Sequence, residues 1–268
     1  MEMQTIGAVP FVGTIFSILV SIGVPIALMV IGKKKFGAKI STFFIGAGTF
    51  LLFAMVLEQI LHILVIRVLG LDAKTNEWLY YFYGACAAAV FEETGRIVAM
   101  KWFMKKRFDL PNAFMYGIGH GGVEAILIGG LANIGGLINM IMINNGMMQA
   151  SLAILPEEIQ AQTVEQLSTL WTTPQSYFFA SGVERLSAVI IHIGLSLIIY
   201  KGLKDSRKGI IAMAYGCHFL VDFVAVALAP RLSVWFIELI IFALAVAIFM
   251  LAHRVNKDSS VGKVSAQG

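Results

Sequence analysis

Phe91-Glu92-Glu93-Thr94-Gly95-Arg96 lies inside the run 78–100, which is otherwise long and apolar enough to cross a bilayer. On insertion scales a charged side chain at mid-membrane costs roughly 3 kcal/mol, and such groups face a bundle interior or a wet cavity rather than lipid. The rest of the chain sets the context. It has 268 residues, 58% hydrophobic and 13% charged, with mean hydropathy +0.82. Soluble domains carry about 25% charged residues, so the fold class is all-α, a polytopic transmembrane helix bundle. The net charge of +4 resides at the ends of the apolar runs, and this placement argues against a nucleic-acid partner. Cys86 and Cys217 both fall in apolar segments, which argues against a disulfide framework and a cysteine-based zinc site. Met1–Ala8 carries no basic region, and no cleavage site with a soluble domain follows it, so the first apolar run reads as a retained span.

Seven spans are expected, at 8–32, 40–69, 78–100, 112–131, 180–200, 209–229 and 233–252. Lysine and arginine concentrate after spans one, three, five and seven (Lys33–Lys39, Lys101–Arg107, Lys201–Lys208, Arg254–Lys263) and are nearly missing from the loops between. The positive-inside rule then puts the N-terminus outside and the C-terminus in the cytoplasm. The stretch 134–155 is rich in Gly, Asn and Met; it reads as re-entrant, or as a short extra helix giving an eighth element, because a full crossing would break the charge alternation. Residues 156–170 read as a short amphipathic surface helix. Residues 1–255 form a single integral membrane domain and 256–268 a disordered cytoplasmic tail. The expected location is a cell membrane, multi-pass, of the bacterial cytoplasmic type, with the lipid bilayer as a standing partner.

At 1.5 Å rise per residue, Glu92 lies about 13 Å from the lysine-rich end of its span, and His120, His192 and His218 lie about 12–13 Å from theirs. Four ionisable residues on four spans thus share one level. Glu92 and Arg96 are i,i+4 neighbours, as are His218 and Asp222, while Tyr116, His120 and Glu124 form an i, i+4, i+8 row. Gly and Ala around His120 and before Glu92 permit close helix approach. A carboxylate and histidines in a partly dry cavity suit general-base activation of water and stabilisation of an oxyanion. Glu92 shares a face with Arg96 and is the expected base; Glu93, about 100° round the helix, supports the geometry, and Glu124 and His192 are supporting residues. The bland alternative is structural: an ion pair between the glutamates and Arg96, with the histidines as interhelical hydrogen-bonding residues. Glu58, His62 and Arg67, and separately Glu184 and Arg185, read as interfacial or interhelical pairing, or as a substrate entrance.

These residues resemble the motifs of glutamic intramembrane proteases related to the CAAX prenyl endopeptidase, and within that group the bacterial YhfC family, with PrsW as a cousin. Glu92-Glu93-Thr94-Gly95-Arg96 is similar to Glu-Glu-x-x-x-Arg, Tyr116 through His120 to Phe-x-x-x-His, and His218 through Asp222 to His-x-x-x-Asn/Asp. The order matches, over about 80–225. The resemblance implies that Glu92 and His120 activate water and that His218 and Asp222 form the oxyanion site. Arg96 stands one residue closer than in the CAAX enzymes. His192 lies outside the three motifs.

The leading expectation is an intramembrane endopeptidase of glutamic type, needing no metal or other cofactor, acting on a membrane or lipidated peptide. The competing readings are a proton-coupled transporter or channel, a zinc-dependent protease built on the histidines (no His-Glu-x-x-His is present), and a scaffold that retains the site unused.

Overall fold

The computed structural model describes residues 3–261, with side chains through 257, and they are helical with no strand among the described residues. Six helices are long and apolar enough to cross a membrane: α1 (Ala8–Phe36), α2 (Ile40–Val68), α4 (Leu110–Asn144), α8 (Tyr177–Lys204), α9 (Lys208–Leu228) and Val234–Lys257 of α10 (Val234–Val261). The span expected at 78–100 is α3 (Glu77–Val98), extended by a π-helical turn Ala99–Phe103. Its ionisable side chains Glu92, Glu93 and Arg96 lie inside the apolar run and not only at its ends. Between α4 and α8 come three short helices: α5 (Met147–Leu152), α6 (Glu157–Leu167) and α7 (Thr169–Thr172).

The chain divides into two compact units, Met1–Val24 with Ala125–Leu186, and Pro25–Glu124 with Ser187–Gly268, a division the sequence did not announce. The final helix passes the expected boundary at 255 and reaches Val261; the rest of the tail lies outside the described residues.

In the first unit the polar stretch after 131 behaves differently from expectation. It is neither re-entrant nor a separate span up to Asn144, because it continues α4 as an unbroken helix; only Met147–Leu152 is a short extra helix. The asparagines explain this. Asn133 donates to the Gly129 carbonyl at 2.8 Å and to Ser181 Oγ at 2.9 Å. Asn144 accepts from the Ile6 amide at 2.7 Å and donates to the Ile6 carbonyl at 2.9 Å. Polar side chains whose hydrogen bonds are made no longer oppose burial. A 35-residue helix is about 52 Å long, well beyond a hydrocarbon core of about 30 Å. The amphipathic segment forms α6 and α7 as expected: Val164, Leu167 and Leu170 pack on a cluster around Ile6, Met140, Ile143, Met148 and Leu152.

The second unit carries the basic helix ends together. Phe36 meets Phe114 and Phe108 meets Tyr200 edge-on or tilted, Arg107 donates to Ser41, and Asn256 donates to the Leu197 carbonyl. This agrees with the alternation of charge along the sequence. At the far end of α3, Arg231 donates to Glu77 at 2.7 Å with its guanidinium 4.6 Å from the Trp78 ring centre, and Tyr81 donates to Glu77 at 2.9 Å.

Close helix approach organises this unit. A Cβ on Gly119 of α4 would stand 1.9 Å from the Phe43 carbonyl oxygen of α2, and one on Gly121 would stand 2.8 Å from Cβ of His192 on α8. With no side chain at either position, α4 lies against both neighbours at backbone distance, and His120 between them is fully buried. Gly119→Ala should therefore destabilise the detergent-solubilised protein by about 3 kcal/mol, the upper end of overpacking costs. Gly48→Ala, where a Cβ meets nothing within 4 Å, should leave its thermal midpoint unchanged.

Candidate active site

Arg96 has no exposed surface, and its donors go to four residues. Nε donates to Glu93 Oε1 at 3.0 Å. One terminal nitrogen reaches the His192 carbonyl at 3.1 Å and Ser196 Oγ at 2.9 Å. The other reaches His192 Nδ1 at 2.6 Å and Glu92 Oε2 at 3.5 Å. The i,i+4 pair with Glu92 is present, and Arg96 has a closer carboxylate partner in Glu93, at i,i+3. Glu93 is fully buried and also takes His218 Nδ1 at 2.8 Å. Helix geometry separates the two acids as expected, with Glu93 bound into the frame.

Glu92 faces the histidines. Its Oε2 lies 2.8 Å from His120 Nε2, 3.8 Å from His192 Nδ1 and 3.9 Å from His218 Nε2. The rings of His120 and His192 are 5.0 Å apart, and those of His192 and His218 5.7 Å. The shared depth read from four apolar runs is a real meeting point of α3, α4, α8 and α9. Phe50 packs edge-on against His120 at 5.4 Å, so one side of the centre is apolar.

The remaining candidates fall around it. Glu124 is on the same helix as His120 but pairs with His192, Oε2 to Nε2 at 2.5 Å. Asp222 stands 3.4 Å from His218 Nε2, with its side chain about one-third exposed at 32%. The Tyr116 ring lies 6.0 Å from that of His120. His192, which no motif covered, touches Arg96, Glu92 and Glu124 and is as central as the motif residues. Ser196 was missed; it donates to the His192 carbonyl at 2.7 Å and accepts from Arg96. Its only signal in the sequence is a hydroxyl four residues after a buried histidine. Glu184 pairs with its chain neighbour Arg185 on the same helix.

The profile of a family described as YhfC intramembrane metalloprotease matches residues 16–248. The chain belongs to the YhfC family. It is 35% identical over 245 residues to the "Uncharacterized membrane protein YhfC" of Bacillus subtilis (strain 168), covering 86% of this chain and 92% of that one. No solved structure matches. A homologue of that name and six apolar helices make this YhfC member a multi-pass membrane protein.

The family's description raises a metal, and the donors fit one. A carboxylate oxygen of Glu92 and one nitrogen each of His120 and His192 lie within 4.8 Å of one another. One oxygen and two imidazoles are the ligand set of many catalytic zinc sites, and a carboxylate on the far ring nitrogen, the place Glu124 occupies, orients such a histidine. The metal reading that the sequence ranked third, below the glutamic one, thus gains a donor set, although Arg96 sits against His192 Nδ1 at 2.6 Å.

Because Arg96 holds the buried Glu93 carboxyl at 3.0 Å, Arg96→Gln takes the guanidinium away from a desolvated acid and should lower stability by about 3–5 kcal/mol. Glu93→Gln combined with Arg96→Gln should recover part of that loss in the same thermal melt, since neither charge is then left alone.

Proposed function

We propose that this chain is an intramembrane endopeptidase and that Glu92 and His120 activate the water that attacks a peptide bond. The observation that carries the reading is the 2.8 Å contact between Glu92 Oε2 and His120 Nε2 inside an apolar helix bundle, with two further imidazoles within 3.9 Å of the same oxygen. Glu92, held only at 3.5 Å by Arg96, keeps an oxygen available for the water proton. His120 positions that water. As the C–O bond forms, the carbonyl oxygen gains negative charge, and His218, steadied by Glu93 and Asp222, is placed to donate to it. Glu92 then returns the proton to the departing nitrogen as the C–N bond breaks.

The substrate is a peptide presented from within the membrane or carried there by a lipid. An apolar groove of about 210 Å³, lined by Phe44, Thr49, Phe53, Gly95 and Phe103, reaches α3 one turn along from Glu92 and suits a hydrophobic segment. The helices carrying Glu92 and His120 run unbroken through the site, which favours hydrolysis over transport, where discontinuous helices line the substrate path.

The donor set and the family's description favour a metal-assisted form of the same reaction. Glu92, His120 and His192 would hold the ion, which when bound would polarise the carbonyl and acidify water. The assignment of roles to the side chains is then tested together with the ion.

With a quenched peptide bearing an apolar helix of about 20 residues in proteoliposomes, Glu92→Gln and His120→Ala should each reduce cleavage by about 10²-fold or more in folded protein. Unchanged cleavage in both would sink the proposal. Elemental analysis divides the two chemistries: near one zinc per chain, lost in His192→Ala, marks the metal form, whereas full activity of metal-free protein in chelator marks the glutamic form.

A further inference from the structure

Phe36, Phe114 and Phe249 stand around an apolar groove of about 280 Å³ on the second unit, at the end where the basic helix termini gather. Two pairs of helices make its walls. On one side the ring of Phe36 on α1 meets that of Phe114 on α4 at 5.5 Å. On the other, Asn256 of α10 donates to the Ala252 carbonyl of its own helix at 2.8 Å and across to the Leu197 carbonyl of α8 at 3.2 Å. Leu197 and Ala252 both line the groove and are themselves buried.

The groove changes character along its length. Its α10 wall runs from Phe249 through His253 to Asn256, about 10 Å along the helix axis. The polar lining residues, His253 and Asn256, thus sit toward the helix end, with the aromatic ring of Phe249 deeper in the bundle. Cations gather at that end. Lys33, Lys34 and Lys35 form the last turn of α1, and Lys35 Nζ stands 5.9 Å from the centre of the Phe36 ring, itself part of the lining. Arg254 follows His253, and all four cations are exposed. The acid next in the chain to the lining, Asp109, is committed to Asn112: one carboxylate oxygen accepts from its amide and its side-chain nitrogen, at 2.9 Å each.

We propose that this groove binds one anionic phospholipid, with an acyl chain against Phe114 and Phe249 and the phosphate facing Lys35 and His253. Each half of the groove matches one half of such a molecule. Apolar walls take a methylene chain, whose burial is favourable and non-directional. Lysines at the membrane surface attract anionic headgroups. A small water-soluble anion leaves the aromatic walls unused, and a zwitterionic lipid brings no net charge to the lysines. The lipid bridges the α1–α4 wall to the α8–α10 wall. Since α4 carries His120 and α8 carries His192, the ligand braces the helices that hold the centre. The proposal does not depend on which reaction that centre performs.

Native mass spectrometry of the whole chain in detergent, titrated with dioleoyl phosphatidylglycerol or dioleoyl phosphatidylcholine, tests the site. The wild type is expected to retain one phosphatidylglycerol, with a Kd about 5-fold or more below that for phosphatidylcholine. Lys35→Gln should weaken phosphatidylglycerol about 5-fold and leave phosphatidylcholine unchanged. Lys208→Gln, which removes an exposed cation outside the lining, should change neither. Leu110→Trp, at the exposed rim of the groove, should weaken both lipids by filling the space, with the melt of the lipid-free protein unaltered. Should that variant fail to fold, the two lysine variants decide by themselves. Equal affinity of the wild type for the two lipids overturns the proposal. Equal losses in Lys35→Gln and Lys208→Gln, the mark of a diffuse charge effect, overturn it too. So does wild-type binding in Lys35→Gln, or displacement of the phosphatidylglycerol by a palmitoylated peptide at lower concentration, which gives the groove to a lipidated substrate.

Discussion

The buried guanidinium of Arg96 is the constraint on which the second unit turns. A cation without solvent contact has to be surrounded by acceptors, and here they come from two helices: Glu92 and Glu93 on α3, and the His192 carbonyl, ring and Ser196 hydroxyl on α8. Glu93 carries the network to His218 on α9, and Glu92 carries it to His120 on α4. Each buried charge or ring thereby fixes the next. Pulling one member out leaves others desolvated and unpaired, which is the most destabilising kind of change in an apolar interior. Charge and packing act together, since the network closes only because Gly119 and Gly121 let α4 approach α2 and α8 at backbone distance.

That constraint also explains the division of labour between the adjacent acids. Glu93 accepts from Arg96 and His218 through Oε1 and has no exposed surface, which ties it into the frame that joins α3 to α9. Glu92 is only loosely tied to Arg96 and turns its other contacts toward three imidazoles. A group that is positioned but not saturated is what a base, or a metal ligand, has to be. Both chemistries use the same atoms, which is why geometry supports hydrolysis more strongly than it chooses between them.

Much of the fold was legible in the sequence because membrane helices are written in long apolar runs whose ends carry lysine and arginine. The Glu92–His120–His218 grouping was legible too, since charges are so costly in a span that each one draws notice, and equal depth on different runs is visible by counting residues. The polar stretch after Leu131 was misread for a physical reason. Asn133 and Asn144 look lipid-averse in one dimension, but the Ser181 hydroxyl and the Ile6 backbone, both remote in sequence, supply their hydrogen bonds. The closer partner of Arg96, Glu93, was not singled out for a related reason: i,i+3 and i,i+4 acids are equally near on a helix, and both pairs form.

The sequence alone determined a polytopic helical membrane protein of the YhfC kind, with its ionisable residues at one level, because hydropathy and residue counting are local properties. Only the tertiary structure decided that Glu124 reaches His192, that His192 belongs at the centre, and that His62 links Glu58 to Tyr83. Those pairings depend on the rotation and register of packed helices. Backbone contact at glycines and the demand of Arg96 for acceptors set both, and neither is a property of any single segment.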